Sequence, residues 1–159
     1  MEVRLSLTST LLRQWTQEMG SKEQADLVRD LRAGDMRAVQ AHVKRVLASI
    51  PSDWHRKNNI AHYEGYWSSV FYMIFASCCT HVYLEDATRH GRADMVVIEG
   101  DNVYIFEFKM KHAGGADSAL RQIQEKDYKA KYQARGKRIF EVGVSFDEVS
   151  REVEFAVQK

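Results

Sequence analysis

The stretch Gly91-Arg92-Ala93-Asp94, followed after twelve intervening residues by Glu107-Phe108-Lys109, decides the fold of this chain. The first part leads into a predicted strand, Ala93 to Ile98, and the second lies in another, Val103 to Met110. The residues between the two strands, Glu99-Gly100-Asp101-Asn102, have the composition of a tight turn. The sequence therefore predicts a β-hairpin that carries charged residues where apolar residues are expected.

The charges of the second strand are predicted to lie on one face. Residues two apart on a strand point to the same side, so Glu107 and Lys109 share a face with Val103 and Ile105. Burying such groups requires partners, and Asp94 on the neighbouring strand supplies a third charge. Facing carboxylates repel, and a bound divalent cation is the usual reason for keeping them together, with oxygen ligands favouring magnesium or manganese over zinc. A buried ion network of the same three charges is the structural alternative.

The pattern of Asp94, Glu107 and Lys109 resembles the signature of the PD-(D/E)XK nuclease superfamily. Ala93 stands where the name of the superfamily has proline, which leaves the carboxylate in place. Four blocks in order resemble one bacterial branch, in which the nuclease-like domain usually follows an AAA-ATPase-like domain in a longer protein. The blocks are GRAD (91–94), YIFEFK (104–109), QIQEKDY (122–128) and VGVSF (142–146).

The resemblance implies a role for each residue of the site. Asp94 and Glu107 would hold the metal ion, Mg²⁺ or Mn²⁺, with the backbone carbonyl of Phe108 as a further ligand. Lys109 would orient or deprotonate the attacking water and stabilise the charge that builds on the phosphate oxygens. Glu64, near the start of an apolar helix, would hold a second ion or one of its waters. Its alternative role is that of a first-turn charge favoured by the helix dipole.

Three further residues are candidates for binding or orienting the substrate. Related nucleases use a glutamine and a tyrosine of the helix after the hairpin to orient the site lysine or the substrate. Gln122 and Tyr128 lie in the corresponding predicted helix, 116–134, and are equally explained as ordinary helix residues. Arg92 would either contact a phosphate or form a structural ion pair with nearby Asp94.

The order of the predicted elements gives the fold class. Helices at 4–19, 22–33 and 36–50 form a helical N-terminal extension over residues 1–50, with Asp35 as the N-cap of the third helix. Residues 51–159 form the nuclease-like core, an α/β (α+β) restriction-endonuclease-like fold whose mixed central sheet is flanked by helices. Its predicted elements are the helix 61–79, the strands 81–85, 93–98 and 103–110, the helix 116–134, a central strand 137–146 and an edge strand 151–157.

Composition limits the class of protein. With 159 residues, 45% hydrophobic and 28% charged, the chain is long enough to bury a core as one ordinary globular domain. The adjacent Cys78 and Cys79 are not a disulfide framework and indicate a reducing compartment. The start of the chain has no apolar segment of a signal peptide, and the apolar run in the helix 61–79 is too short for a bilayer. The expected location is the cytoplasm, with no membrane partner.

Basic residues are concentrated in one part of the chain, although the net charge is only +1. From Lys109 to Arg138 there are nine Lys or Arg and three Asp or Glu. Such a segment beside a metal site suits a nucleic-acid backbone, because phosphate neutralisation supplies most sequence-independent affinity. The same lysines are equally explained as a solvated helix face. The expected partners are nucleic acid, DNA ahead of RNA, and an AAA-ATPase-like domain or protein, and the sequence is compatible with a homodimer.

Two functions follow from these observations. The first is a metal-dependent nuclease that hydrolyses phosphodiester bonds of DNA. The alternative is a catalytically silent nucleic-acid-binding or partner-docking module of an ATPase-linked protein. The absence of a G-x-x-x-x-G-K-[ST] phosphate-binding loop from this sequence favours the second function.

Overall fold

The secondary structure follows the predicted order of helices and strands. The computed structural model describes residues 20–49, 64–79 and 81–159, and the predicted helix 4–19 lies outside these ranges. The elements are α1 (Ser21–Ala33), α2 (Met36–Ser49), α3 (Glu64–Ala76), β1 (His81–Thr88), β2 (Gly91–Glu99), β3 (Asn102–Met110), a 3₁₀ turn (Lys111–Ala113), α4 (Gly115–Glu125), α5 (Ala130–Gln133), β4 (Arg138–Phe146) and β5 (Val153–Gln158).

A mixed five-stranded sheet in the order β1-β2-β3-β4-β5 forms the centre of the fold. All neighbouring strands are antiparallel except β3 and β4, which are parallel. The predicted hairpin is confirmed, since Glu99 lies opposite Asn102 and Gly100 takes the left-handed conformation, φ 58°, in the turn. The predictions that β4 is central and β5 an edge strand are also confirmed. Because β3 and β4 are parallel, both strands end at the same edge of the sheet and α4 lies in the connection between them.

The sheet buries a separate apolar cluster on each face. On one face, α1, α2 and α3 pack against the aromatic residues of β3. The ring of Phe71 in α3 lies 5.2 Å from that of Phe106 and 5.0 Å from that of Phe108. On the other face, Ile105 of β3 packs in a cluster with Ile123 of α4. The predicted alternation along β3 is therefore confirmed, and its charged residues lie on the side of α4.

The apolar helix α3 is a core helix, as predicted. Trp67, Val70 and Phe71 are all buried against the sheet. Cys78 and Cys79 follow this helix as free thiols, and Cys79 is buried. Across residues 20–49, 64–79 and 81–159, no helix combines the length and the apolar character needed to cross a bilayer.

Polar side chains fix the C-terminal end of α1 to the sheet. The side-chain amide of Asn102 donates to the carbonyl oxygens of Leu31 and Arg32 at 2.7 and 3.1 Å, and the Tyr104 hydroxyl also donates to the Leu31 carbonyl. Arg138 in turn donates from Nε to Asn102 Oδ1 at 2.8 Å. Carbonyl groups at a helix end lack intrahelical partners, and these side chains supply them. The N-terminal helices thus pack on the sheet as expected, while the domain boundary at residue 50 stays a prediction.

The single helix predicted for residues 116–134 is wrong, because α4 ends in a Schellman motif. Asp127 has the left-handed φ of 47°, and its N–H donates to the carbonyl of Gln124 at 3.1 Å. The N–H of Tyr128 donates to the carbonyl of Ile123 at 3.4 Å, and both side chains pack in the same buried cluster. Glycine is the usual residue at this position, so an aspartate gave no sign of a stop.

Two more predictions concern the ends of elements. Asp35 caps α2 as expected, since its Oδ1 accepts the N–H of Ala38 at 3.1 Å. β1 runs to Thr88, three residues beyond the predicted end at Glu85, because Thr88 pairs with Gly91 across a two-residue turn.

Gly143 in the middle of β4 lets α4 approach the sheet closely. A Cβ at this position would lie 2.1 Å from the carbonyl oxygen of Ala116 and 2.5 Å from the backbone nitrogen of Leu120. We expect Gly143→Ala to lower the free energy of unfolding by about 1–3 kcal/mol or more, measured by urea denaturation, because backbone atoms must move. Gly65→Ala is the control, since its Cβ would meet no atom of the described residues within 4 Å. Equal stability of the two variants would contradict the close packing.

Candidate active site

Asp94 and Glu107 lie where the hairpin ladder between β2 and β3 opens. The last ladder pair at this end is Met95 with Phe106, although both strands continue. Beyond it, Asp94 Oδ2 accepts the backbone N–H of Phe108 at 2.8 Å. The backbone N–H of Asp94 donates to the carboxylate of Glu107. Each predicted acid is thus hydrogen-bonded to the backbone of the other strand, which holds the two carboxylates side by side.

Glu107 is the most electrostatically unusual of the predicted site residues. Only 4% of the residue is exposed, and Oε2 has no hydrogen-bond partner among the residues that the structure describes. Burial, followed by the negative charge of Asp94, raises the pKa of Glu107 to about 8, while the Asp94 N–H, Lys109 and Gln122 act in the opposite direction. A bound cation would relieve both the repulsion and the missing contact.

Asp94 is affected by similar forces and by one further carboxylate. Burial raises its pKa first, the Phe108 N–H and Lys109 lower it, and the charge of Glu85 raises it again. The ion pair predicted between Arg92 and Asp94 is wrong, because Arg92 Nη1 lies 3.3 Å from Glu85 Oε2 instead. Both of these side chains are exposed, so their pairing contributes little to stability. A substrate role for Arg92 stays a prediction.

Glu64 reaches the site from the helix on the opposite face of the sheet. It is the first residue described in α3, and its carboxylate accepts the backbone N–H of Met110 at the end of β3. Burial and the charge of Asp94 raise its pKa, whereas Lys109 and the Met110 N–H lower it. Glu64 therefore lies in the first turn of α3 and also beside the candidate site, so the position fits both of the roles predicted for it. Its role toward a metal ion stays a prediction.

Gln122 contacts the acid of the site. The resemblance implied that this glutamine orients the lysine or the substrate, yet its Nε2 donates to Glu107 Oε1. Tyr128 is buried nearby, and its pKa is raised by burial, then by the charge of Glu107, with Gln122 opposing. The sequence did not indicate a role for Gly91, where a Cβ would lie 3.3 Å from the Tyr128 hydroxyl. The glycine that opens the GRAD block thus leaves room for this tyrosine.

The amide of Gln122 is expected to hold down the pKa of Glu107. In Gln122→Ala that pKa should rise by about one unit, because a hydrogen bond to a charged group is worth about 1.5–3 kcal/mol and one unit is about 1.4 kcal/mol. The ¹³C carboxyl shifts of labelled glutamates, followed against pH, would measure it without any need for activity. Gln124→Ala is the matched control, since Gln124 on the same helix bonds to Gln158 at 2.7 Å. An identical Glu107 titration in both variants would contradict the contact.

The donor atoms at this place fit a divalent cation of the oxygen-preferring kind. Asp94 and Glu107 offer carboxylates, and the backbone carbonyl of Phe108 offers a neutral oxygen. In the part of the chain that the structure describes, no group of three or more His, Cys, Asp and Glu side chains is arranged to hold a metal ion. A site formed by the Asp94 and Glu107 carboxylates and a backbone carbonyl has only two such side chains and agrees with this result. A site in which Glu64 was a third carboxylate ligand would not agree with it.

Residues 62–156 match the family model of the PD-(D/E)XK nuclease superfamily, a span that includes the site residues from Glu64 to Tyr128. The chain belongs to this superfamily. Its mixed sheet between two layers of helices is accordingly a restriction-endonuclease-like fold, with α1 and α2 added before the matched region. PD-(D/E)XK proteins are typically phosphodiesterase nucleases that use divalent metal ions.

A similar protein is found in Azotobacter chroococcum mcd 1, where it is described as an uncharacterized protein in the vnfD 5′ region. It is 44% identical over 155 residues, which cover 96% of this chain. The chain spans about 30% of the length of that relative. The two proteins are thus similar over nearly all of this chain, and most of the longer protein lies outside the comparison.

Proposed function

We propose that this PD-(D/E)XK protein is a metal-dependent nuclease that hydrolyses phosphodiester bonds, of DNA ahead of RNA. One observation carries the proposal. Glu107 is buried with an unpartnered oxygen and lies beside a second acid, Asp94, close to Lys109. Such an arrangement is costly to the metal-free fold, and in this superfamily it has a functional explanation.

Each residue of the site would have a separate task. Asp94, Glu107 and the Phe108 carbonyl would hold the ion, which when bound polarises the phosphate and lowers the pKa of water. Lys109 would orient the attacking water and donate hydrogen bonds to the phosphate oxygens as negative charge builds on them. Gln122 would keep the Glu107 carboxylate turned toward the site through the bond to Oε1.

The basic segment supports nucleic-acid binding only in part. Several of its lysines have partners within the protein, since Lys131 lies 2.6 Å from Asp86 and Lys129 lies 3.8 Å from Glu141. Arg121 and Lys126 are exposed on and after α4, and no ion pair within the described ranges engages them. These two residues are the better candidates for contacts with the phosphate backbone.

We also propose that the domain acts together with an AAA-ATPase-like partner, in one chain or as a separate protein. The four sequence blocks resemble a branch with this arrangement, and the similar Azotobacter protein extends well beyond the shared region. The alternative is a catalytically silent module that binds nucleic acid or docks on such a partner.

Metal binding separates the two proposals. We expect Mn²⁺ to raise the melting temperature of the wild type, because an ion that binds only the folded state stabilises it, and to leave that of Asp94→Asn unchanged. A crystal soaked in manganese should show anomalous density between Asp94 and Glu107. Cleavage of single-stranded and double-stranded DNA and RNA, each with and without Mg²⁺ or Mn²⁺, would then identify the substrate. No stabilisation, no anomalous density and salt-sensitive DNA binding together would favour the silent module.

A further inference from the structure

The N-terminal end of α4 begins with two glycines, and no side chain in the described part of the chain caps it. Gly114 has φ 112° and Gly115 has φ 67°, and no side chain accepts a hydrogen bond from this turn as a cap. The first N–H groups of a helix lack partners inside it, and they form the positive end of the helix dipole. The N–H groups of this turn therefore offer donors to an anion.

A buried hydroxyl points to the same place. Ser145 on β4 is 2% exposed, yet its hydroxyl forms no hydrogen bond with any residue in the described ranges. A Cβ built on Gly115 would lie 3.5 Å from Ser145 Oγ and 3.9 Å from Ser145 Cβ, so the hydroxyl is directed toward the start of α4. Because no protein group in the described ranges engages this hydroxyl, it is available to a ligand at this end of the helix.

This end of α4 lies next to the candidate active site. Ser145 is the register partner of Lys109 in the parallel pair of β3 and β4, and alternation places both side chains on the α4 face. The acids of the neighbouring turn have partners within the protein, because Asp147 lies 3.2 Å from the ammonium of Lys111 and Glu148 lies 3.2 Å from the imidazole of His112. An anion at the helix end would therefore meet little unpaired negative charge from that turn.

We propose that the start of α4 and the Ser145 hydroxyl together bind a phosphate group, beside the phosphate that Lys109 would contact. Hydroxyl and backbone N–H donors converging at a helix N-terminus match a tetrahedral oxyanion. A backbone phosphodiester of nucleic acid and free inorganic phosphate share this chemistry. The assignment to the nucleic-acid backbone rests on the proposed nuclease function, and the oxyanion site itself does not.

Amide NMR on the ¹⁵N-labelled protein tests the site without any cleavage. The protein is titrated in EDTA with inorganic phosphate in one arm and with a short single-stranded DNA oligonucleotide in the other. We expect saturable shifts of the Gly115, Ala116 and Asp117 amides in both arms, and saturation at a lower concentration of the oligonucleotide. Shifts with phosphate alone would assign the site to the free anion and overturn the substrate role. No saturable shift in either arm would overturn the proposal.

Two variants make the assignment specific. Ser145→Ala should weaken oligonucleotide binding about tenfold, as expected for one hydrogen bond to a charged group. Asp117→Asn, which removes an exposed negative charge from the first turn of α4, should tighten it at low salt. Ser77→Ala is the control, because Ser77 follows α3 on the other face and its hydroxyl donates to the Ile74 carbonyl at 2.7 Å. If Ser145→Ala and Asp117→Asn both bind the oligonucleotide with the affinity of the wild type, the proposal is overturned.

The outcome is separable from that of the proposed function. Amide shifts without any metal-dependent cleavage would support the phosphate site and would favour the catalytically silent module over the nuclease. Cleavage without shifts at Gly115 would leave the nuclease standing and remove this site.

Discussion

Lys109→Ala abolishes metal-dependent cleavage while the protein remains folded: this is the largest effect that we expect. Lys109 acts on the charges of Asp94, Glu107 and Glu64, lowering the pKa of each. Removing a preorganised donor to the developing phosphate charge costs about 10²–10³-fold in rate, and loss of a role in activating water would add to that figure. Initial cleavage rates under single-turnover conditions, with circular dichroism as the check on folding, would measure the effect.

The matched control for this change is Lys137→Ala. Lys137 donates to the carbonyl of Gly100 at 2.6 Å, at the end of the sheet away from the site. The Lys137→Ala protein should therefore cleave at the wild-type rate. Cleavage by Lys109→Ala at the wild-type rate would mean that a contaminant is responsible and would remove the support for the nuclease.

Glu107→Gln should change activity and stability in opposite directions. Activity should fall by orders of magnitude, because a neutral amide is a weaker ligand for a hard cation than a carboxylate. The metal-free variant should nevertheless be more stable than the wild type near pH 8, since it no longer carries a buried charge beside Asp94. Urea denaturation in EDTA across a range of pH, alongside cleavage assays, would show both effects.

The pH dependence follows from the direction of the pKa shift. The folded protein holds the Glu107 proton up to a pKa of about 8, whereas the unfolded chain releases it near the ordinary glutamate pKa of 4.5. This group therefore stabilises the fold fully below about pH 4.5, and its contribution is lost as pH rises to about 8. One pKa unit is about 1.4 kcal/mol, so the loss is on the order of a few kcal/mol and should be absent in Glu107→Gln.

Glu141→Gln distinguishes the site from burial in general. Glu141 is also buried on the α4 face, one strand away, with its pKa raised by burial and an unpartnered Oε1. Its replacement should preserve cleavage, because it lies opposite Ile105 and beside Lys129 rather than beside Asp94. Equal loss of activity in the two variants would contradict the special position of Glu107.

The strand pattern around the site could be predicted from sequence because it depends on local rules. Alternation placed Glu107 and Lys109 on one face of β3, and turn chemistry placed the hairpin at Gly100. Both features depend on residues within a few positions of each other. The same holds for the cap of α2 by Asp35.

What could not be predicted depends on contacts between distant segments. The break after α4 combines a left-handed Asp127 with the packing of Tyr128 and Ile123 in one buried cluster. The direction of the Gln122 amide required the crossing of α4 over the sheet, which Gly143 permits. Neither contact has a signature in local composition, since an aspartate or a glutamine in a helix commonly faces solvent.

The attachment of α1 to the sheet has a practical meaning for work on this domain. A fragment cut at residue 62, where the family match begins, would lack the carbonyl groups that receive the Asn102 amide and the Tyr104 hydroxyl. It would also expose the aromatic side chains of the sheet that pack in the same buried cluster as Leu27 and Leu31. Such a fragment would be poorly soluble, and its inactivity would reveal nothing about catalysis.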